Sequence, residues 1–253
     1  MNTSLEQYDG LWRDLWVNTH AGGPMARTRY RLASQWLQLG PHCGERVLDV
    51  GAGNGAFIAE ALRRAPQLQI FGAEFSQAAI DLAHPEIRPR LRRCNLQSTT
   101  EAAPWDDDFQ VVVCMEVLEH MPDDVLAIKH IARAIAPGGR LLISVPAWES
   151  KWGPQDVTAG HVRRYQPNIM HERLGQAGLR VQRIKCWGGP VCWAYLRATD
   201  LIGPQKIMTV KPTGIAGAAA NGIYHLLKID DLLSFNRGPQ LLVLADKPGP
   251  RRP

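Results

Sequence analysis

The chain lacks the marks of several protein classes. No stretch of its 253 residues approaches the roughly 18 uncharged apolar residues of a membrane-spanning helix, so a protein without a transmembrane segment is expected. Cysteine is scarce. Cys43, Cys94, Cys114, Cys186 and Cys192 include no C-x-x-C pair, and an odd count leaves no complete disulfide framework. Reduced thiols and no metal site are therefore expected. The opening MNTSLEQYDGLWRDLW has neither the basic segment nor the apolar run of a secretory signal, and a cytoplasmic location is expected. There is no internal repeat and no long run of one charge. The net charge of +5 is spread over short groups such as Arg88 to Arg93, Arg163-Arg164 and Arg251-Arg252, which suit a solvated surface or an anion-facing patch.

What is present is an alternation of strands and helices. Residues 1–40 read as a helical N-terminal cap divided at Gly22-Gly23-Pro24. ERVLDV, QIFGAEF, RLRRCNL, FQVVVCMEV and RLLISVPA read as five strands separated by helical patterns. That order predicts a doubly wound, mostly parallel α/β sheet. Ser76 and Asp123-Asp124 are placed to open helices, and Pro137-Gly138-Gly139 to end one. WESKWGPQDVTAGHVRRY reads as a loop, followed by a helix from Pro167 to Gly178. LRVQRIKCW and QLLVLADK read as the last two strands. The predicted organisation is a cap over 1–40, a core over 41–188, a helical insertion over 189–237 covering the acceptor site, and a last core strand over 238–247.

The most informative stretch is VLDVGAGNGAF, residues 47 to 57. Glycine removes the Cβ, so the chain turns sharply and a ligand can touch the main chain. After a first strand and before a helix, such a turn lies at the carboxyl edge of the sheet, where open α/β folds bind ligands. Gly51, Gly53 and Ala56 also satisfy G-x-G-x-x-G/A, which leaves NAD, FAD and other adenosyl ligands open. Glu74, about 20 residues on, ends the second strand, where a carboxylate accepts hydrogen bonds from ribose hydroxyls.

VLDVGAGNGAF, GAEFS, CNLQS, VVVCMEVLEHMPD and IARAIAPGGRLLISVP occur in order across residues 45 to 147. Together they resemble the class I S-adenosylmethionine (SAM) dependent methyltransferases. GHVRRY and the helix after it extend the likeness to about residue 180, toward a bacterial small-molecule subgroup. The resemblance implies a Rossmann-like sheet of seven strands with one antiparallel strand, SAM as cofactor and S-adenosylhomocysteine as product. It further implies that Asp49 organises the glycine loop near the methionine end. Gly51, Gly53 and Gly55 line methionine and ribose, Glu74 holds the ribose, and Phe75 packs on adenine. Asn95 and Leu96 lie at the adenine edge, where the family usually has Asp, and Met115 and Glu116 flank the methyl path. His120 is read as structural.

Methyl transfer from a sulfonium needs alignment and, for a protonated acceptor, a base. After the fifth strand, Trp148, Trp152, Asp156, His161, Arg164 and Tyr165 bring aromatic, carboxylate, imidazole and guanidinium groups together. His161 and Arg164, with Glu116, are the candidate catalytic residues, and His161 either acts as the base or locks the loop. Tyr8, Trp12, Trp148, Trp152 and Tyr165 are the candidate acceptor-binding residues. The expected acceptor is a small molecule methylated on O, N or C, as in specialised metabolism, by a monomer or homodimer. Apolar stretches in 189–237 leave a membrane-surface or dimer role open. A nucleic-acid acceptor is not expected, because CMEV replaces the Asn/Asp-Pro-Pro-aromatic stretch of base methylation. A nucleic-acid, lipid-linked or saccharide methyltransferase is the alternative, ahead of a nicotinamide-dependent oxidoreductase.

Overall fold

The computed structural model describes residues 5–16, 22–98, 109–232 and 237–249. Its centre is a seven-stranded sheet: β1 (Arg46–Val50), β2 (Gln69–Glu74), β3 (Leu91–Arg93), β4 (Phe109–Met115), β5 (Ile135–Pro146), β6 (Arg180–Trp187) and β7 (Gln240–Asp246). The strand order is β3-β2-β1-β4-β5-β7-β6. Only β7 runs against its neighbours, β5 and β6, as expected. The chain leaves β1 for β2 on one side and returns as β4 on the other. That switch opens a crevice at the carboxyl ends of β1 and β4.

Helices cover both faces, which is why β4 has no polar side: Val111 to Cys114 are fully buried. On one face pack α5 (Asp124–Ala134) and α7 (Pro167–Gln176), through Ile128, Ile131, Met170 and Leu174. On the other pack α2 (Pro24–Trp36) and α3 (Ala56–Arg64), through Ala33, Leu37, Phe57 and Ile58. α4 (Gln77–Asp81) opens with Ser76 Oγ accepting the Ala79 N–H at 3.1 Å, and α5 with Asp123 accepting the Leu126 N–H at 2.9 Å. Both caps satisfy amides that have no partner within the helix.

The structure differs from the sequence reading at two joints. α5 ends at Ala134, before Pro137, and Ile135 already pairs with Phe109. Pro137-Gly138-Gly139 then bulges out of the ladder, Gly138 at φ 78°, before pairing resumes at Arg140. Residues 148–165 are not simply a loop either, since they contain α6 (Pro154–Ala159). The Asp156 carboxylate accepts the Gly153 N–H at 2.8 Å and starts this helix, while Gly160, at φ 74°, stops it.

The cap consists of α1 (Leu5–Leu11), a π-helical turn over Trp12–Trp16, and α2. Trp12 and Trp16 pack on Ala78 and Ala79 of α4. Between β6 and β7 lie α8 (Pro190–Ile202), α9 (Pro204–Thr209) and α10 (Gly214–Leu232). α10 packs on α2 and α8, and α9 packs on α6, α8 and the π turn.

Candidate active site

The glycine turn builds the floor. Gly51 sits at φ 73° and Gly53 at φ 56°, left-handed values that side-chain-bearing residues rarely adopt. The Gly51 N–H bonds the Ala73 carbonyl at 2.8 Å, and the Gly53 N–H bonds Glu74 Oε2 at 2.7 Å. Glu74 Oε1 accepts the Ser76 N–H at 2.8 Å. The carboxylate therefore ties the first turn to the second while facing the crevice. Burial raises its pKa, and the N–H groups of Ser76, Gly53 and Phe75 oppose that rise. Burial, reinforced by the charge of Glu74, also pushes Asp49 well above the usual carboxylate range.

Two adjoining cavities open over this floor. The first, ≈ 370 Å³, is lined by Gly51, Glu74, Phe75, Asn95, Leu96 and Tyr8, among others. Asn95 Oδ1 already accepts the Gln97 N–H at 2.9 Å. The second, ≈ 210 Å³, shares Gly51, Glu74 and Tyr8, and adds Trp12, Met115, Glu116, His161 and Arg164. Asp49 faces a small side cleft with Arg29, Tyr30 and Met115.

Of the three glycines, only Gly51 lines these cavities. A Cβ on Gly53 would meet the Trp12 ring, and one on Gly55, which precedes α3, would meet Ile87. These two glycines let the cap and the β3 side pack closely on the turn.

At the far wall, His161 Nδ1 lies 2.8 Å from Asp156 Oδ1. Arg164 grips the same carboxylate twice, Nε to Oδ1 at 2.8 Å and Nη2 to Oδ2 at 2.8 Å. Burial opposes charge on Asp156, but the hydrogen bonds from His161 and Arg164 outweigh it and hold its pKa below the ordinary value. An ionised Asp156 accepts a hydrogen bond from the His161 Nδ1–H, which leaves Nε2 as the ring's acceptor nitrogen. That nitrogen is 3.9 Å from Glu119 Oε1. Glu119 is fully buried, and neither of its oxygens has a hydrogen-bond partner among the described residues. Burial, followed by the nearby Glu116, pushes its pKa well up.

Glu116 is at φ 57°, one of three described non-glycine residues with positive φ. Such strain persists only where the surroundings impose it. Arg29 Nη2 meets Glu116 Oε2 at 2.8 Å, and Ser144 Oγ donates to Oε1 at 3.1 Å.

Three expected acceptor contacts are corrected. Tyr165 is buried, and its hydroxyl bonds the Leu118 carbonyl at 3.1 Å and Asp124 Oδ2 at 3.0 Å; it is a packing residue. Trp148 donates its indole N–H to the Gly238 carbonyl at 2.9 Å and packs against the core. Trp152 faces solvent at 39% exposure, because α6 begins beside it and turns the chain. Tyr8 and Trp12 do line the cavity. Trp16 and Glu119 were missed as site residues. Trp16 lies on a turn whose periodicity is not α-helical, and Glu119 reads as one more charge in EVLEH. The fold also brings Glu119, His120 and His161 together, their ligand atoms within 4.8 Å of one another, a grouping across two segments that no local spacing shows.

A methyltransferase domain model matches residues 25–184, and the chain belongs to that family. SAM is the cofactor of this class, and the bare Gly51 backbone, Glu74 at the junction and the cavity walled by Phe75, Asn95 and Leu96 suit an adenosyl ligand. Among curated proteins, the chain is 38% identical over 112 residues to a ubiquinone biosynthesis O-methyltransferase of Xanthomonas oryzae pv. oryzae, covering 40% of this chain and 43% of that protein. The chain thus matches less than half the length of that relative. Among solved structures, the [4+2]-cyclase SpnF aligns with a TM-score of 0.64 at 21% identity, over 97% of this chain and 95% of that one. A geranyl diphosphate C-methyltransferase from Streptomyces coelicolor A3(2), solved with S-adenosyl-L-homocysteine, aligns with a TM-score of 0.56 at 17% identity, over 86% and 76%. At these identities the structural likeness carries the fold alone.

Proposed function

We propose that the protein methylates a hydroxyl oxygen of a small, largely apolar acceptor held in the cavity between the cap and α6, α8 and α9. The observation that carries this reading is the Asp156–His161 pair on the wall of a cavity whose floor holds Gly51 and Glu74. When bound, SAM supplies a methyl group on a sulfonium, whose leaving group is the neutral thioether S-adenosylhomocysteine.

The chain's residues supply the rest. Gly51, Glu74, Phe75, Asn95 and Leu96 hold the cofactor, with Asp49 and Met115 beside the strand ends. His161 Nε2 takes the acceptor's hydroxyl proton, Asp156 holds the imidazole in the required tautomer, and Arg164 fixes Asp156. With SAM bound, the acceptor oxygen so deprotonated would be the nucleophile toward the methyl group. Trp12, Trp16, Met25, Ile207 and Met208 exclude water and orient the acceptor. Alignment of this kind recovers on the order of 7–11 kcal/mol of barrier in well-oriented systems.

The oxygen acceptor is supported by the name of the curated relative, an O-methyltransferase, and by a base positioned for a proton that a tertiary amine would not carry. The test is transfer of labelled methyl from SAM to a panel of phenols and matched anilines. Turnover restricted to phenols supports the reading, and turnover restricted to anilines overturns it.

A further inference from the structure

The helices that roof the acceptor cavity have a second face. α8 lines the cavity with Tyr195, Leu196 and Thr199, and α9 with Ile207 and Met208. Toward solvent the same layer presents Leu201 at 77% exposure, Ile202 at 53%, Val210 at 46% and Ile215 at 91%. On α10 the exposed positions continue as Ile215, Ala219, Gly222, Leu226 and Ile229. Their spacing of four, three, four and three residues is one stripe of a helix. The opposite side of α10 is occupied: Arg27 on α2 bonds Asn221 and covers the Tyr224 ring, and Leu227 is buried. Most of the large exposed apolar side chains among the described residues belong to this one layer. A soluble monomer rarely leaves such a patch without a use.

Charge selects the occupant. From Leu201 to Ile229 the chain has no Asp or Glu but has Lys206, Lys211 and Lys228, and Lys206 and Lys211 are exposed. Among the described side chains, Asp200 and Asp230 turn inward: Asp200 accepts from Gln155 at 3.0 Å, and Asp230 accepts the Val191 and Cys192 N–H groups at 3.2 and 2.8 Å. A second copy seated on this face would set one positive patch against another. An anionic surface would be attracted, and apolar side chains framed by lysines are the pattern of helices that lie in a lipid headgroup layer. No described helix is long and apolar enough to cross a membrane, so the contact is peripheral.

We propose that the outer face of α8, α9 and α10 docks on an anionic lipid surface. The layer of helices that includes the cavity roof then rests on the membrane, and an apolar acceptor can pass between bilayer and site. Docking itself does not depend on which atom is methylated.

The experiment is flotation of the full chain with phosphatidylcholine vesicles containing phosphatidylglycerol, against phosphatidylcholine alone. Binding to the anionic vesicles is expected, weakened by salt and reduced about tenfold or more by Lys206→Glu with Lys211→Glu. Ile215→Gln with Leu226→Gln should also release the protein. In both variants SAM binding by calorimetry should be unchanged, which shows that the fold is kept. Absence of binding, or equal binding to neutral and anionic vesicles, overturns the proposal. So does a concentration-dependent dimer that the Ile215→Gln, Leu226→Gln variant abolishes, which would give the face to a second copy. Vesicle binding is read without turnover, so failure of the acceptor assignment leaves this result intact.

Discussion

Arg29 on the cap helix and Glu116 at the end of β4 form an ion pair of 2.8 Å across the mouth of the site, both side chains largely shielded from water. It joins the N-terminal helices to the sheet at the residue whose backbone is strained. Breaking a shielded pair strands the remaining charge. Arg29→Met should therefore cost about 3 kcal/mol of stability, measured by chemical denaturation. Arg29→Met with Glu116→Met should recover part of that loss. Strictly additive losses would show that the two residues do not act as a pair.

His161→Ala should lower kcat by about 10²-fold or more while leaving SAM affinity unchanged, because in the proposed mechanism its Nε2 serves the acceptor and not the cofactor. Asp156→Asn should also lower kcat and, in addition, lose stability through Arg164 and the Gly153 cap. A wild-type rate in the His161 variant would leave the imidazole a purely structural part.

Tyr165→Phe separates packing from chemistry. The hydroxyl satisfies the Leu118 carbonyl and Asp124 Oδ2, so its removal should cost about 1–2 kcal/mol with kcat unchanged. A rate loss without a stability loss would return Tyr165 to the acceptor site.

The strands and the glycine turn were legible because their physics is local. A parallel strand covered on both faces must be apolar throughout, as Val111 to Cys114 are, and a bare bend after a strand writes itself as clustered glycines. The aromatic wall was not legible. Trp148, Trp152 and Tyr165 are compatible with lining a cavity, wedging a core or facing water, and the choice was made by tertiary partners: Gly238 for Trp148, Leu118 and Asp124 for Tyr165, and the start of α6 for Trp152. That helix was hidden because Asp156 reads as chemistry when it is also the group that starts a helix at Gly153-Pro154. The Arg29–Glu116 pair and the approach of Glu119 to His161 join residues far apart in sequence, so only the tertiary fold reveals them.

Glu119 sets a pH dependence with a defined sign. Its folded-state pKa is raised by burial, so between the ordinary carboxylate range and that raised value the folded state holds a proton that the unfolded state has released. Stability from this group is therefore present at low pH and lost as pH rises through the folded pKa. Glu119→Gln, neutral at every pH, should flatten the fall in stability as pH rises above the ordinary carboxylate range. The same pH dependence of stability in wild type and variant, followed by denaturation, would mean that Glu119 is ionised and compensated in the folded protein.

The central claim is that the Gly51 bend and the Glu74 carboxylate receive an adenosyl sulfonium. Calorimetric titration with S-adenosylmethionine, and in parallel with NADH, tests it most directly. The account predicts one-to-one binding of S-adenosylmethionine, its loss in Gly51→Val through the clash with Val117, marked weakening in Glu74→Ala, and no binding of NADH. Binding of NADH, or S-adenosylmethionine affinity that survives both substitutions, would contradict it.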